Sequence, residues 1–213
     1  MDNSRRIVSI RVGGGRNKCR VVFDTGEETV LAMDIVLKYA LSKGVAINED
    51  MFSEINRNND LINAKQTAYN FATYAKRTEK QIIDKMKRSG YTEEIFPEVI
   101  NFLKSFNLID DYAFAVGYVG ACLKKKAIGA QKIKMALISK GVSKELADRA
   151  LEEAFPHEDS GDIAMAALEK KLRSMPAKKT EDKRKLKASL FAYMVNRGFD
   201  YDLAIRKIDE ILE

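Results

Sequence analysis

The sequence predicts a mainly α-helical protein with three tandem three-helix repeats, elongated and curved, preceded by a small N-terminal extension that contains a β-hairpin or meander and a helix. Three observations predict this class. The first sixty residues contain short β-branched runs between glycine-rich turns, and helical spacing of apolar residues begins near residue 64. A common apolar pattern also surrounds Gly90, Gly141 and Gly198. One such unit cannot bury its own apolar face, so we expect the units to stack.

The composition narrows the function classes. Of 213 residues, 46% are hydrophobic and 32% charged, and the net charge of +6 favours an anionic partner. No apolar run approaches the roughly 20 residues that span a bilayer, and "MDNSRR" lacks the apolar stretch of a signal peptide. We therefore expect a cytoplasmic protein without membrane contact. Cys19, Cys122 and His157 are too few for a disulfide framework or a zinc site, so we predict structural thiols and no cofactor.

Two β-branched segments begin the chain, "RRIVSIRV" and "KCRVVFD", with the turn sequences "GGGRN" and "DTGEE" after them. This pattern predicts a small antiparallel hairpin or a three-strand meander. A helix is predicted to begin near Met33, and "IVLKYALSKG" has helical spacing up to Gly44.

The contiguous glycines of "VGGGRNK" do not fit a phosphate-binding P-loop, which needs GxxxxGK[ST] between a strand and a helix. A flexible hairpin loop is the simpler interpretation. The flanking Arg11, Arg16 and Lys18 leave contact with a nucleic-acid backbone open.

The repeat appears when three segments are aligned on their glycines: "KMKRSGYTEEIFPEVINFL", "MALISKGVSKELADRALEEAF" and "AYMVNRGFDYDLAIRKIDEIL". Apolar residues recur eight and four places before each glycine, and one, five, ten and thirteen places after it. Each glycine is predicted to end one helix, and Thr92, Ser143 or Asp200 to cap the next. A further helix precedes each corner, in "TAYNFATYAKR", "YAFAVGYVGACLKKK" and "DIAMAALEKKL".

These patterns predict the domain organisation. The N-terminal extension comprises residues 1–60, and the repeats comprise 61–109, 110–157 and 158–213. His157, beside Pro156, is predicted to be a linker residue. Eight aromatic residues at helical spacing are predicted to be core: Tyr69, Phe71, Tyr74, Phe102, Phe106, Phe114, Phe191 and Tyr193.

The paired carboxylates of "NLIDDYAFA", Asp110 and Asp111, invite two interpretations. Acid/base or two-metal chemistry needs further acids or histidines that converge in one pocket. The neighbouring segments of the sequence supply no such set. Helix capping needs only their position before an apolar helical pattern. Capping is therefore preferred, and Thr78 with Gln81 has the spacing of a capping box.

Basic residues form the candidate binding site. The stretch from Ala115 to Gly141 contains six lysines and no acid, and a second basic tract extends from Lys170 to Lys187. Lysines that neutralise phosphates bind without reading sequence, although a solvated helix face is the plain alternative. With Arg77, the predicted partner- or DNA-binding residues are Lys124, Lys125, Lys126, Lys132, Lys134, Lys140, Lys183, Arg184 and Lys185.

Four motifs resemble, in order, those of the RecX family, bacterial regulators of the RecA recombinase: "AKRTEKQIIDKMKRSGY", "NLIDDYAFA", "GAQKIKMALISKGV" and "NRGFDYDLAIRKI". The resemblance extends from about residue 64 to the C-terminus. It implies three repeats of a three-helix motif, which agrees with the glycine-centred pattern. In "GYVGACLKKKAIG" lysines stand where many relatives have arginines. The ammonium group of lysine cannot make the bidentate contact that the planar guanidinium of arginine makes.

The resemblance also implies a function in DNA repair and recombination and in the SOS response. Members of the family are not enzymes; they bind the RecA filament in its helical groove and impede filament growth, ATP hydrolysis and strand exchange. We therefore expect a monomer that binds a RecA-type filament and touches single- or double-stranded DNA through phosphates. The alternative is a helical module that binds nucleic acid directly and without sequence preference.

Overall fold

A computed structural model describes residues 4–124, 128–155, 160–176 and 182–213. It confirms the predicted class, a mainly helical chain with a small N-terminal sheet. The chain divides into two compact units. The first contains Met1–Ala75 and Ile82–Leu108, and the second contains Lys76–Gln81 and Ile109–Glu213.

The first unit begins with a four-stranded antiparallel sheet. Its strands are β1 (Arg5–Val12), β2 (Lys18–Phe23), β3 (Glu28–Ala32) and β4 (Ala46–Ile47), in the order β3-β2-β1-β4. The predicted meander is therefore confirmed, and the glycine-rich segment joins β1 to β2 as a hairpin loop. One face of the sheet buries apolar side chains, among them Ile7, Val21, Phe23 and Leu31. Strand β4 has two residues, too few for a periodic signal in the sequence.

The helix predicted up to Gly44 ends six residues earlier. Helix α1 spans Met33–Lys38, and the chain then turns at Ala40, whose φ is +49°. This turn brings Leu41 into the core, where it is 6% exposed. Burial of that leucine therefore outweighs the helical spacing of the segment.

Helix α2 spans Glu49–Tyr74 and passes through the predicted boundary between residues 60 and 61. It contains no glycine or proline that would interrupt it. The buried Asn59 joins it to β3, since its Oδ1 accepts a hydrogen bond from the Ala32 amide at 2.8 Å and its Nδ2 donates to the Val30 carbonyl. The N-terminal extension and the first predicted repeat therefore share one helix.

The remaining helices follow the predicted order. They are α3 (Glu79–Arg88), α4 (Phe96–Ser105), α5 (Asp111–Lys124), α6 (Ala130–Ser139), α7 (Lys144–Ala154), α8 (Ser160–Arg173), α9 (Lys183–Asn196) and α10 (Tyr201–Leu212).

The three glycine corners have the predicted conformation. The φ angles are +84° at Gly90, +98° at Gly141 and +80° at Gly198. In each, the amide that follows the glycine donates to a carbonyl five residues back, as Val142 does to Leu137 at 3.1 Å. This is the Schellman pattern of helix termination. The residues four places before the glycines are fully buried: Met86, Leu137 and Met194.

Two of the three helix N-caps that were predicted to follow the glycine corners are confirmed. The Ser143 hydroxyl accepts from the Leu146 amide, and the Asp200 carboxylate accepts from the Asp202 and Leu203 amides. Thr92 makes no such bond. Pro97 lacks the amide that would donate to the Glu93 carbonyl in an α-helix, so this segment begins as a 3₁₀ turn, Glu93–Ile95.

Asp110 and Asp111 both cap helices, but not the same one. Asp110 accepts from the Ala113 amide of α5 at 2.9 Å, whereas Asp111 accepts from the Glu79 amide of α3 at 2.9 Å. The predicted capping box is confirmed, because Thr78 and Gln81 exchange two backbone-to-side-chain hydrogen bonds of 3.2 Å.

Three of the aromatic residues predicted to be core are exposed. Tyr69 is 39% exposed, Phe106 58% and Tyr74 86%. The buried positions of α2 are taken instead by small residues such as Ala64, Ala68 and Ala72, which leave the larger rings on the flanks. The prediction was therefore wrong for these three, and the other five aromatics are partly buried.

Candidate functional site

In the second unit, the start of a helix docks onto the glycine corner at Gly141. The Thr78 hydroxyl donates to the Lys140 carbonyl at 2.6 Å, and the Lys80 ammonium donates to the Ser139 carbonyl at 3.4 Å. The last carbonyls of a helix have no partner inside it, so these donors satisfy groups that would otherwise need water. A Cβ on Gly141 would overlap the Lys80 side chain.

The corner at Gly198 is covered in the same way by the start of α6. The Gly129 amide donates to the Arg197 carbonyl at 2.9 Å, and the Gln131 amide donates to the Gly198 carbonyl at 3.2 Å. Thr78 and Gly129 each lie twelve residues before the glycine that ends their own helix, so the sequence repeat is also a repeat of contacts.

These contacts assign structural roles to predicted binding residues. The Lys132 ammonium donates to the Asn196 carbonyl at 2.9 Å, and the Lys140 ammonium lies 5.3 Å from the centre of the Tyr118 ring. Lys134 forms an ion pair with Asp148 of α7 and is only 20% exposed. The stretch without acids in the sequence is therefore partly neutralised in space by the following helix.

The remaining predicted residues outside α9 differ in exposure. Lys124 is exposed in the last turn of α5, where positive charge suits the helix dipole. Arg77 is half-buried, and its backbone forms a parallel bridge with Ile109. Lys125 and Lys126 lie outside the described residues, as does His157.

The first turn of α9 carries Lys183, Arg184 and Lys185, and all three are exposed. Positive charge is unfavourable there, because the N-terminal end of a helix is itself positive. Asp182 caps the helix by accepting from the amides of Arg184 and Lys185 at 3.1 Å. Hydrogen bonds from the Lys185 amide and ammonium hold the pKa of Asp182 below its ordinary value, so the cap is ionised at neutral pH.

An apolar groove of about 390 Å³ lies beside this basic turn, between α9 and α10. Its lining residues are Arg184, Lys187, Ala188, Phe191, Ile205 and Ile208. Ile205 is 43% exposed, and the Phe191 ring stacks on the Tyr201 ring at 5.8 Å. Arg184 therefore borders an accessible apolar floor, and so does Lys187, which forms an ion pair with Asp209 of α10.

The sequence does not predict the groove, because the helical spacing around Phe191 indicates a core residue. The spacing of residues in α9 does place four lining residues on one helix face: Arg184, Lys187, Ala188 and Phe191. That spacing cannot predict that Ile205 lines the groove, since Ile205 belongs to α10.

Within the described parts of the chain, no group of three or more histidine, cysteine, aspartate or glutamate residues is placed to hold a metal ion. The helices found there are also too short or too polar to span a membrane.

Comparison with known proteins gives three family matches along the chain. The first, second and third three-helix domains of RecX match residues 64–103, 110–151 and 158–208. These matches agree with the three glycine-centred repeats.

Curated relatives match over most of their length. A protein named "Regulatory protein RecX" from Clostridium perfringens strain 13 is 34% identical over 92% of each chain. The protein of the same name from Clostridioides difficile strain 630 is 30% identical, also over 92% of each chain.

Solved structures show the same fold. A crystal structure of regulatory protein RecX has a TM-score of 0.69 at 22% identity and covers 95% of this chain and 98% of its own. RecX from Lactobacillus salivarius has a TM-score of 0.63 at 25% identity over 71% of this chain and 96% of its own.

Proposed function

Since the chain belongs to the RecX family, we propose that it binds the filament of a RecA-type recombinase in its helical groove and inhibits filament growth, ATP hydrolysis and strand exchange. Its relatives are named regulatory proteins, which agrees with a binding function rather than a catalytic one.

The observation that carries this proposal is the basic first turn of α9 beside an apolar groove. Lys183 and Arg184 occupy positions where the helix dipole disfavours cations. The described acid beside them, the capping Asp182, forms its ion pair with Lys185. A locally unfavourable choice is expected at functional sites, where a partner compensates for it. A recombinase filament offers two such anions, acidic side chains and the phosphates of the bound DNA.

The groove supplies apolar contacts, which the charged residues alone do not provide. Cations accelerate and orient the encounter with an anionic partner, while apolar contacts in a desolvated pocket contribute most of the binding free energy. Phe191 and Ile205 form an accessible apolar surface for a partner side chain, and Arg184 and Lys187 border it. One bound copy would then bridge neighbouring recombinase subunits and block the addition of others.

The rival function is direct, sequence-independent binding of nucleic acid. Phosphate neutralisation alone would make such binding fall steeply with salt. Filament binding should depend less on salt, because apolar contacts are not screened by ions.

Binding to coated and bare DNA distinguishes the two functions. We expect the protein to bind recombinase-coated single-stranded DNA at least about tenfold more tightly than bare DNA near 150 mM salt, a difference of about 1.4 kcal/mol. Fluorescence anisotropy with one labelled oligonucleotide measures both affinities. Equal affinity for coated and bare strands would favour the direct nucleic-acid module.

A further inference from the structure

The outer face of the N-terminal sheet is rich in arginine. Val21 and Leu31 point into the core, so their neighbours Arg20 and Val30 lie on the opposite, outer face. Arg11 is the direct partner of Arg20 in the β1–β2 register. Lys18 begins β2 on the same outer face, and the exposed Arg16 lies in the adjoining loop.

Other cations of this region are used within the fold. Arg5 pairs with Glu27 and Glu49 and lies 3.9 Å from the centre of the Phe52 ring. Arg6 donates to the Gly44 carbonyl at 2.7 Å. In the described part of the chain, by contrast, Arg11, Arg16 and Lys18 form no ion pair or hydrogen bond through their side chains.

Arg11 and Arg20 carry like charges at directly opposite positions of β1 and β2. Directly opposite residues of an antiparallel pair have Cβ atoms about 5 Å apart, and side chains of like charge are unfavourable at such positions. Glu28 pairs with Arg20 at 2.9 Å and offsets one of the two charges, which leaves Arg11 uncompensated. An external anion would remove the repulsion.

We propose that the outer face of the N-terminal sheet binds the sugar-phosphate backbone of a nucleic acid through Arg11, Arg16, Lys18 and Arg20. The planar guanidinium of arginine binds phosphate oxygens in a bidentate way, which an ammonium cannot do. The loop between β1 and β2 contains Gly13, Gly14 and Gly15, whose lack of side chains permits close approach of a backbone. This site lies before the segments that match the family models, which begin at residue 64.

An acidic protein surface fits this face less well. Protein interfaces are anchored by aromatic and other large apolar side chains. The large apolar residues exposed on β1, β2 and β3 are all valines, Val8, Val12 and Val30, and the phenylalanine of β2, Phe23, is buried on the inner face. The same lack of exposed aromatics argues against base stacking, so we expect binding without sequence preference.

The test uses the full chain without recombinase, so its outcome is independent of the function proposed above. The variant is Arg11→Glu with Arg16→Glu, and the matched control is Lys43→Glu with Arg88→Glu, which makes the same charge change at exposed positions of the same unit. The first variant should melt no lower than the wild type, because the carboxylate introduced by Arg11→Glu would face Arg20 across the strands.

Anisotropy with a labelled oligo(dT) of about 30 nucleotides, and with a duplex of equal length, measures binding at about 50 mM salt. We expect Kd for the first variant to rise at least about tenfold, and the slope of log K against log salt to fall by about 2, with little change for the control. The oligonucleotide for which Kd rises more, single-stranded or duplex, is the preferred form of nucleic acid.

Unchanged affinity of the first variant for both oligonucleotides would overturn the proposal, and so would an equal loss in the control.

Discussion

Replacement of Gly129 by alanine should destabilise the protein by about 3 kcal/mol, the upper part of the usual range for overpacking. The φ of Gly129 is −79°, so the cost is not backbone strain. An added Cβ would overlap the Gly198 carbonyl and lie 2.5 Å from the Phe199 amide nitrogen. These are backbone atoms, which cannot rotate away as a side chain can. The change would separate α6 from the corner on which it docks.

Gly117→Ala is the matched control in the same unit. Gly117 lies within α5, and an added Cβ there would meet no atom within 4 Å. Alanine should therefore stabilise that helix by about 0.5 to 1 kcal/mol. Urea unfolding followed by circular dichroism measures both changes. A Gly129→Ala protein as stable as the wild type would contradict the docking of α6 onto the Gly198 corner.

Reversal of charge at the start of α9 should abolish most filament binding and leave the fold intact. The variant is Lys183→Glu with Arg184→Glu, which leaves the pair between Lys185 and Asp182 in place. Glutamate in the first turn suits the helix dipole by about 0.3 to 1 kcal/mol per residue, so thermal unfolding should not occur earlier. Binding to recombinase-coated DNA should weaken at least about tenfold, since two cations are lost and two anions gained.

The control for this variant is Lys144→Glu with Arg206→Glu. Both residues are exposed in the second unit, and Lys144 also lies in the first turn of a helix. The control should bind coated DNA within about threefold of the wild type, because neither residue lies in the first turn of α9 or lines the groove. Equal losses in both variants would show that net charge, and not the α9 turn, controls binding.

Local features were predictable from the sequence, and contacts between distant segments were not. The conformation of Gly90, Gly141 and Gly198 follows from residues within one turn, so spacing alone identified it. The capping of the Glu79 amide by Asp111 joins residues 32 apart and has no sequence signal.

In the candidate site, too, the sequence predicts local features but not contacts between distant segments. The basic tracts of the sequence predict Lys183, Arg184 and Lys134 alike as binding residues. Lys183 and Arg184 are exposed, whereas Asp148 of the next helix neutralises Lys134. A charge run in the sequence therefore predicts a basic surface only where no folded neighbour supplies the opposite charge.

The most direct test of the proposed regulatory function is the rate of single-strand-DNA-dependent ATP hydrolysis by the cognate RecA-type recombinase. We expect the wild-type protein to suppress hydrolysis at concentrations well below that of the recombinase, because on the proposed mechanism one bound copy would block the addition of many subunits. Suppression should be lost when Lys183 and Arg184 are reversed. Hydrolysis that stays unchanged until the added protein is sufficient to cover the DNA would contradict the account.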